Sequence, residues 1–484
     1  MPPLAWAPDL PWATLAFTAY FLAAGLYIVA ENRRPASTFA WLFLFLTVPL
    51  IGPVVYVLFG RRRRVGRTRK LLRQQRPAHL EEALARARAE HARALSRLSD
   101  GPPLLMALAR LVHETCGGLV TTANAVEVLH DAAEAYPRLL ADLDGARSSI
   151  HLQYYIWRAD ALGARLADLL ARKAAEGVEV RLLYDPVGSF GLRATLYWRT
   201  LRRRGVDARP SSPLWRVHSI SYRNHRKIAV IDGRVGYTGG LNVGDEHLDP
   251  GHGFARWRDV HLRLTGTAVH ALQAVFAVDW ANATRGTLLG AQHFPPVEPR
   301  DGLPVQLSLS GPDSDWRTIR QQYFGMITGA TRRVRVQTPY FVLDESLTEA
   351  IKAAALSGVD VAIMVTDGGP DQRLVYWAAQ TYLAEVASAG AEVLLYRGGF
   401  LHAKTVVTDG EVASVGSGNW DIRSFSINYE LNAVLYDRGV AANLERAFEA
   451  DRAHCVRFDP GAYYALSRLR RLRDSLARLV SPLL

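Results

Sequence analysis

Apolar and polar positions divide this chain into two regimes. From Leu10 to Ala30 there are 21 residues without a charge, and from Pro35 to Gly60 there are 26 more. At about 1.5 Å per residue, each run predicts a helix able to cross a hydrocarbon layer of roughly 30 Å. Only Glu31-Asn32-Arg33-Arg34 separates them, so the pattern predicts a two-helix transmembrane hairpin over residues 1–60. Trp12, Trp41 and Tyr56 would sit near its interfaces. A cleaved signal peptide fits less well, because there is no basic leader and a second long apolar run follows at once. Nine basic residues between Arg61 and Arg76 place the rest of the chain on the cytoplasmic side by the positive-inside rule. The same basic residues would attract anionic lipid.

Beyond residue 80 the pattern changes to short elements. Glu81 to about His113 reads as two helices broken near Gly101-Pro102. Arg147–Ile156 is strand-like, Leu162–Glu176 helical, Val178–Tyr184 a strand, Ala194–Arg204 helical and Val260–Leu264 a strand. The second half repeats the order: Arg333–Thr338 strand, Leu347–Leu356 helix, Val359–Thr366 strand, Tyr376–Ala389 helix and Val393–Tyr396 strand. Alternation of this kind predicts an α/β fold of two pseudo-symmetric lobes, each a mixed sheet flanked by helices. The expected divisions are a hairpin over 1–60, a basic and helical linker over 61–115, a first lobe over 116–285, a linker over 286–305, a second lobe over 306–460 and a C-terminal helix over 461–484. In that last helix Leu466, Leu469, Leu472, Leu476 and Leu479 recur at three- and four-residue steps among arginines. The stripe fits either an anionic lipid surface or the catalytic body.

Composition narrows the partners. The 484 residues carry a net charge of +12, which favours an anionic partner, membrane or nucleic acid. Cys116 and Cys455 are the only cysteines, so neither disulfides nor a structural zinc is expected as scaffolding.

One pattern occurs twice. His225, Lys227 and Asp232 lie in HRKIAVID, and His402, Lys404 and Asp409 lie in HAKTVVTD, both spaced H-x-K-x4-D. A glycine-rich turn ending in Asn242 or Asn419 follows each, as GGLN and GSGN. On a strand, residues two apart share a face. Each His–Lys pair therefore looks into a cavity, while Ile228, Val230 and Val407 face a core. Two imidazoles provide a nucleophile and a proton donor, and ammoniums and amides provide positive charge around a phosphoryl group. No metal or other cofactor is called for. Asp232 and Asp409 are read as braces for the motif loops. His218, His247 and His261 are read as structural, and Tyr154, Trp157, Tyr340 and Phe341 as either a lipid entrance or core.

These motifs resemble the phospholipase D superfamily. The hairpin ENRRPASTFAWLFLFLTVPLIGPVVYVLFG, with LLYDPVGS, NHRKIAVIDGRVGYTGGLNVGDEH, WRDVHLRLTG, QTPYF and GFLHAKTVVTDGEVASVGSGNWDIRSF, is similar to bacterial cardiolipin synthases over nearly the whole chain. The resemblance implies His225 as nucleophile, His402 as acid/base, and Asp259 and Glu430 as the carboxylates that orient the imidazoles. It further implies transfer of a phosphatidyl group between two phosphatidylglycerol molecules, giving cardiolipin and glycerol through a phosphohistidine. The implied location is the bacterial inner membrane, against an anionic phospholipid bilayer, with a homo-oligomer possible and no nucleic-acid partner. Hydrolysis of phospholipid by a membrane-bound phospholipase D uses the same residues and stays open. So do a nuclease that grips a DNA backbone through its basic surface and a catalytically silent scaffold.

Overall fold

The computed structural model describes residues 11–31, 35–49, 51–56, 77–212, 221–248, 256–298, 300–368 and 372–480. The basic stretch Arg61–Arg76 and His218 lie outside these. The chain divides into two compact units, Met1–Arg63 with Trp215–Ser221, and Arg64–Leu214 with Tyr222–Leu484.

The first unit holds α1 (Pro11–Ala30), α2 (Pro35–Thr47) and a single turn, α3 (Gly52–Val55). Among the described residues no helix is long and apolar enough to cross a membrane. This corrects the transmembrane hairpin, and with it the multi-pass inner-membrane location. The reason is plainest in the second apolar run. Its helix stops at Thr47 after 13 residues, about 20 Å against the roughly 30 Å needed. Pro49, Gly52 and Pro53 interrupt what composition alone reads as continuous. Helix α1 has 20 residues, with Thr18, Tyr20, Gly25 and Tyr27 inside it. The helices pack on each other instead. Ile28, Phe45 and Tyr56 form a small buried cluster, Trp41 meets Tyr56 edge-on at 5.0 Å, and the Tyr20 hydroxyl donates to Pro49 O at 2.9 Å.

The second unit begins with α4 (Ala78–Leu98) and α5 (Pro103–Cys116), separated at Gly101-Pro102. Strand β1 (Val120–Thr121) follows. Then come β2 (Asn124–His130), α6 (Asp131–Asp144), β3 (Ser149–Tyr154), α7 (Ala161–Ala175), β4 (Glu179–Tyr184), α8 (Leu192–Arg203) and β5 (Asp207–Pro210). The first motif opens onto β6 (Ile228–Ile231), followed by β7 (Val235–Gly239), β8 (Trp257–Arg258), β9 (Val260–Gly266) and α9 (Thr267–Thr284). These build a seven-stranded sheet ordered β2-β9-β7-β6-β3-β4-β5. It is parallel across β3-β4-β5 and antiparallel elsewhere.

The second half supplies β10 (Val305–Ser310), α10 (Thr318–Thr328), β11 (Arg333–Gln337), β12 (Phe341–Val342), α11 (Glu345–Leu356), β13 (Asp360–Thr366), α12 (Arg373–Ser388), β14 (Glu392–Tyr396) and β15 (Phe400–Leu401). Then come β16 (Thr405–Thr408), β17 (Val412–Gly416), β18 (Trp420–Asp421), α13 (Ile422–Ser426), β19 (Glu430–Leu435), α14 (Arg438–Arg452), β20 (Cys455–Arg457), α15 (Pro460–Tyr464) and α16 (Arg468–Val480). A nine-stranded sheet results, ordered β1-β10-β19-β17-β16-β11-β13-β14-β20. Strand β1, which precedes every strand of the first sheet in the chain, completes its edge.

Helix starts follow ordinary capping chemistry. Asp160 caps α7, Asp344 caps α11 and Asp437 caps α14, each accepting an amide N–H from the first turn. Helix α9 is apolar on nearly every side and largely buried, so it shows no stripe for periodicity to find. Between the sheets lies one continuous core containing Ile228, Val230, Val260, Leu262, Val407, Ala413, Val415 and Leu431. Ile228, Val230 and Val407 are therefore core-facing, as their alternation predicts. Tyr154 and Trp157 are buried in one core cluster and Phe341 in another, against which Tyr340 packs. Helix α16 buries Asp474 and Ala477 but leaves Leu469, Leu472, Leu476 and Leu479 exposed, so of the leucine stripe only Leu466, just before the helix, packs on the body.

Candidate active site

Each motif lies on the approach to a strand of its own sheet. His225 and Lys227 immediately precede β6, and His402 and Lys404 immediately precede β16. The strands start just after the lysines, so the His–Lys pairs ride on the approach to each strand rather than within the ladder. Each approach is then stitched to the opposite half. The His225 amide donates to Tyr429 O at 3.0 Å, and the Tyr429 amide to Arg223 O at 2.9 Å. In the mirror position β15 pairs in parallel with β8, and the His402 amide donates to Arg258 O at 2.7 Å.

This stitching exchanges carboxylates between the halves. Glu430, the first residue of β19, stands 3.0 Å from Nδ1 of His225. Asp259, between β8 and β9, stands 2.6 Å from Nδ1 of His402. Each imidazole is held by the acid of the other half, an arrangement that position along the chain does not reveal. With Nδ1–H donated to a carboxylate, the lone pair is fixed at Nε2.

Lys227 donates to His225 O at 2.6 Å, and Lys404 donates to His402 O. Both ammoniums are buried. Asn242 accepts the Ile156 amide at 3.2 Å through its side-chain oxygen, and Asn419 is buried at the matching turn. Asp232 and Asp409 sit beyond the strands at φ of 53° and 56°. Asp232 accepts the amides of Arg147, Ser148 and Ser149. Asp409 accepts those of Thr331, Arg332 and Arg333. Both aspartates therefore face backbone at the start of β3 or β11.

Comparison with known proteins now becomes decisive. The model described as "Cardiolipin synthase, PLD-like domain" matches residues 139–280 and 323–452, which contain both motifs. The major cardiolipin synthase ClsA of Bacillus subtilis is 39% identical over 97% of this chain and 98% of its own length. The chain belongs to the cardiolipin synthase family. A cardiolipin synthase of Oceanobacillus iheyensis is 38% identical over the same shares, and a phospholipase D-nuclease N-terminal model matches residues 16–61. The crystal structure of phosphatidylserine synthase from Haemophilus influenzae covers 78% of this chain and 100% of its own, with a TM-score of 0.60 and 16% identity. That likeness speaks for the fold alone.

The electrostatics of this family member's two halves differ. Burial pushes the His225 imidazole below its usual range, and Glu430 opposes the shift. Burial pushes His402 further down, with Lys404 and Lys227 adding to it. Burial holds Lys227 down at about 7. For Glu430 burial alone would raise the carboxyl, but His225, Lys227 and the Ser417 hydroxyl outweigh it and the net shift is downward. For Asp259 burial wins and the net shift is upward.

Several contributors carry no motif signal. The Tyr155 ring lies 4.9 Å from His225, and Trp257 lies 5.1 Å from His402. His247, read from sequence as structural, is buried 4.4 Å from Trp257 and 6.4 Å from His402. Burial holds it down at about 3. His261 is buried as well and held at about 4. Arg226, inside the first motif, is paired with Asp279 at 2.8 Å and donates to Glu430 O. Arg258 is paired with Asp131 and Asp451 and donates to Asp259 O. These two arginines hold the backbone on which the orienting carboxylates stand. A separate cavity of about 850 Å³, lined by Leu84, Val275, Phe294, Leu307 and Arg226, lies apart from the histidines.

Proposed function

We propose that the chain transfers a phosphatidyl group from one phosphatidylglycerol to the glycerol hydroxyl of a second, giving cardiolipin and free glycerol. The observation that carries this reading is the pair of buried imidazoles, each tied at Nδ1 by a carboxylate from the opposite half. Its substrate class comes from the cardiolipin synthases that match nearly the full length.

Nε2 of His225 attacks the phosphorus, and the P–O bond to the glycerol headgroup breaks. His402, protonated once an anionic phosphodiester fills the site, gives its proton to the departing alkoxide. His402 then takes the proton from the incoming glycerol hydroxyl of the second lipid, which attacks the phosphohistidine and frees His225. Lys227, Lys404, Asn242 and Asn419 balance charge on the phosphoryl oxygens. One phosphodiester is exchanged for another, so no nucleotide is consumed.

The test is product analysis with defined lipid. Purified protein supplied with phosphatidylglycerol as the sole lipid releases glycerol and forms cardiolipin in equal amounts. Phosphatidic acid as the dominant product would replace the transferase reading with hydrolysis. Acid-quenched, denatured enzyme carries label from phosphoryl-labelled donor on His225. Label on His402 would reverse the two roles.

A further inference from the structure

We propose that His151, Glu179 and His293 form a binding site for one divalent transition-metal ion of the zinc class, separate from the catalytic pocket. The three come from distant parts of the chain. His151 is on β3, Glu179 begins β4, and His293 ends a single 3-10 turn at Ala291–His293 after α9. Their ligand atoms all lie within 4.8 Å of one another. Both imidazoles are buried.

The hydrogen bonding prepares these groups for a cation. The Gln273 Oε1 atom stands 2.9 Å from Nδ1 of His151. A carbonyl oxygen only accepts, so Nδ1 carries the hydrogen, and Nε2 of the neutral ring presents a lone pair. That lone pair faces Glu179 Oε1 at 3.0 Å. A proton or a metal ion fills the space between these two atoms. Nε2 of His293 meets the same oxygen at 3.0 Å. The other Glu179 oxygen is taken by Arg181 at 2.9 Å, leaving Oε1 for the imidazoles. A carbonyl that fixes the tautomer of a ligating histidine is the usual support of a metal site. Phe276 stacks on His151 at 4.8 Å and 6°, which fixes the ring plane.

Bond lengths of about 2.0–2.1 Å place tetrahedral zinc ligands about 3.3 Å apart. Seating the ion therefore needs each imidazole to move from Glu179 Oε1 by only a few tenths of an ångström, with the two Nε2 atoms already within 4.8 Å of each other. Two imidazoles and one carboxylate suit zinc and exclude magnesium and calcium as preferred ligands. Three protein ligands leave a position for water.

The location implies a structural clamp. His151 pairs across the sheet with Val230 of β6, inside the first catalytic motif. A Cβ on Gly233, in the turn that ends that motif, would meet His293 O at 2.5 Å. An ion on His293 would thus pin the segment joining the two halves onto the strand that carries His225 and Lys227.

The experiment uses the full chain, stripped with chelator and dialysed against zinc. It is expected to retain about one zinc per chain, to melt at a higher temperature than the stripped protein, and to show visible absorption bands when loaded with cobalt(II). His293→Ala should lower zinc content by at least about tenfold. Should His293→Ala misfold, Glu179→Gln keeps the side-chain shape and should lose zinc with an unchanged far-ultraviolet spectrum. Wild-type protein that retains no zinc and shows no cobalt bands would overturn the proposal and leave a shared proton in the ion's place. Variants that bind zinc as the wild type does would overturn it too.

Discussion

The two motif halves share a spacing but not an environment. Glu430 receives Ser417 Oγ at 2.5 Å, Ser424 Oγ at 2.9 Å and Asn428 Nδ2 at 3.4 Å in addition to His225. Asp259 receives His402 and the Val260 amide. The difference begins in the turns, GSGN in the second half and GGLN in the first. Ser417 is the donor to Glu430, and its counterpart in the first half is Gly240. A Cβ there would stand 2.0 Å from Asp259 Oδ1, so no side chain fits. Burial raises both carboxyls; at Glu430 the His225 imidazole and Lys227 ammonium, with the Ser417 hydroxyl added, outweigh it, whereas at Asp259 burial wins. A duplicated motif has become two unequal sites, with His402 pushed further toward its neutral form than His225, so that His402 depends on an anionic substrate to take up its proton.

The largest break in this comparison comes from removing the imidazoles. His225→Ala and His402→Ala should each lower cardiolipin formation by at least about 10³-fold. They should part company on a donor whose leaving group needs no proton, such as a nitrophenyl phosphodiester. His402→Ala should still release nitrophenol, and His225→Ala should not. Equal loss on that donor would deny the division of labour.

Next in size are the carboxylates. Replacing an acid that orients a functional imidazole costs about 10–100-fold. Glu430→Gln should fall at the upper end, because an ionised acceptor is lost. Asp259→Asn should fall at the lower end, because burial already favours its neutral form. Ser417→Ala should move Glu430 toward Asp259 in behaviour and cost a smaller factor. Steady-state kcat on phosphatidylglycerol measures all three. A larger loss for Asp259→Asn than for Glu430→Gln would invert the comparison.

Lys227 links charge to pH. With its ammonium held down at about 7, the free enzyme loses this cation as pH rises through neutrality. Burial has already left His225 neutral there. Thus kcat/KM should fall above pH 7, and Lys227→Arg should move that alkaline limb upward, since a guanidinium keeps its proton. The stability sign runs the other way. An unfolded lysine titrates near 10.4, so between about 7 and 10.4 the unfolded state holds the extra proton and stability rises with pH. Lys227→Met should therefore raise Tm by several degrees at pH 6, and by less at pH 9, while abolishing transfer. A Tm gain that does not depend on pH would show that the lysine is not buried as a charge at pH 6.

Sequence legibility followed the range of each interaction. Elements such as α7 and α11 or β3 and β13 lie within a few residues of their predicted positions, the helices because one face of each meets the core and the strands because both faces are buried. The motif residues were visible because doubling is a pattern in sequence itself. The exchange of Asp259 and Glu430 was not, since it depends on β8 pairing with β15 and on Asn224 bridging to Tyr429. Arg226 and Asp279 are 53 residues apart, and His151 and Glu179 28 apart, so their partnership exists only in the fold. The apolar run Pro35–Gly60 misled for a different reason. Hydropathy weighs side chains and ignores the helix break between Thr47 and Gly52.

The smallest expected difference lies in the braces. Asp232 and Asp409 both hold positive φ, which Asn tolerates, so Asp→Asn at either keeps the turn and weakens its hydrogen bonds. Asp409 adds the Thr331 hydroxyl at 2.9 Å, where the fourth contact of Asp232 is a longer second approach of the Arg147 amide at 3.2 Å. Asp409→Asn should therefore cost slightly more than Asp232→Asn, each on the order of 1–2 kcal/mol, with cardiolipin formation nearly unchanged. Burial works to raise both carboxyls, but the backbone amides outweigh it and hold them below their usual values. A depressed acid gives its full stabilisation above the unfolded pKa near 3.9 and loses it as pH falls through the folded value. The variants should thus differ most from wild type above pH 4 and converge with it in stronger acid. Urea midpoints at pH 7 and pH 3 measure both trends. A loss of turnover without a loss of stability would move these aspartates from the frame into the reaction.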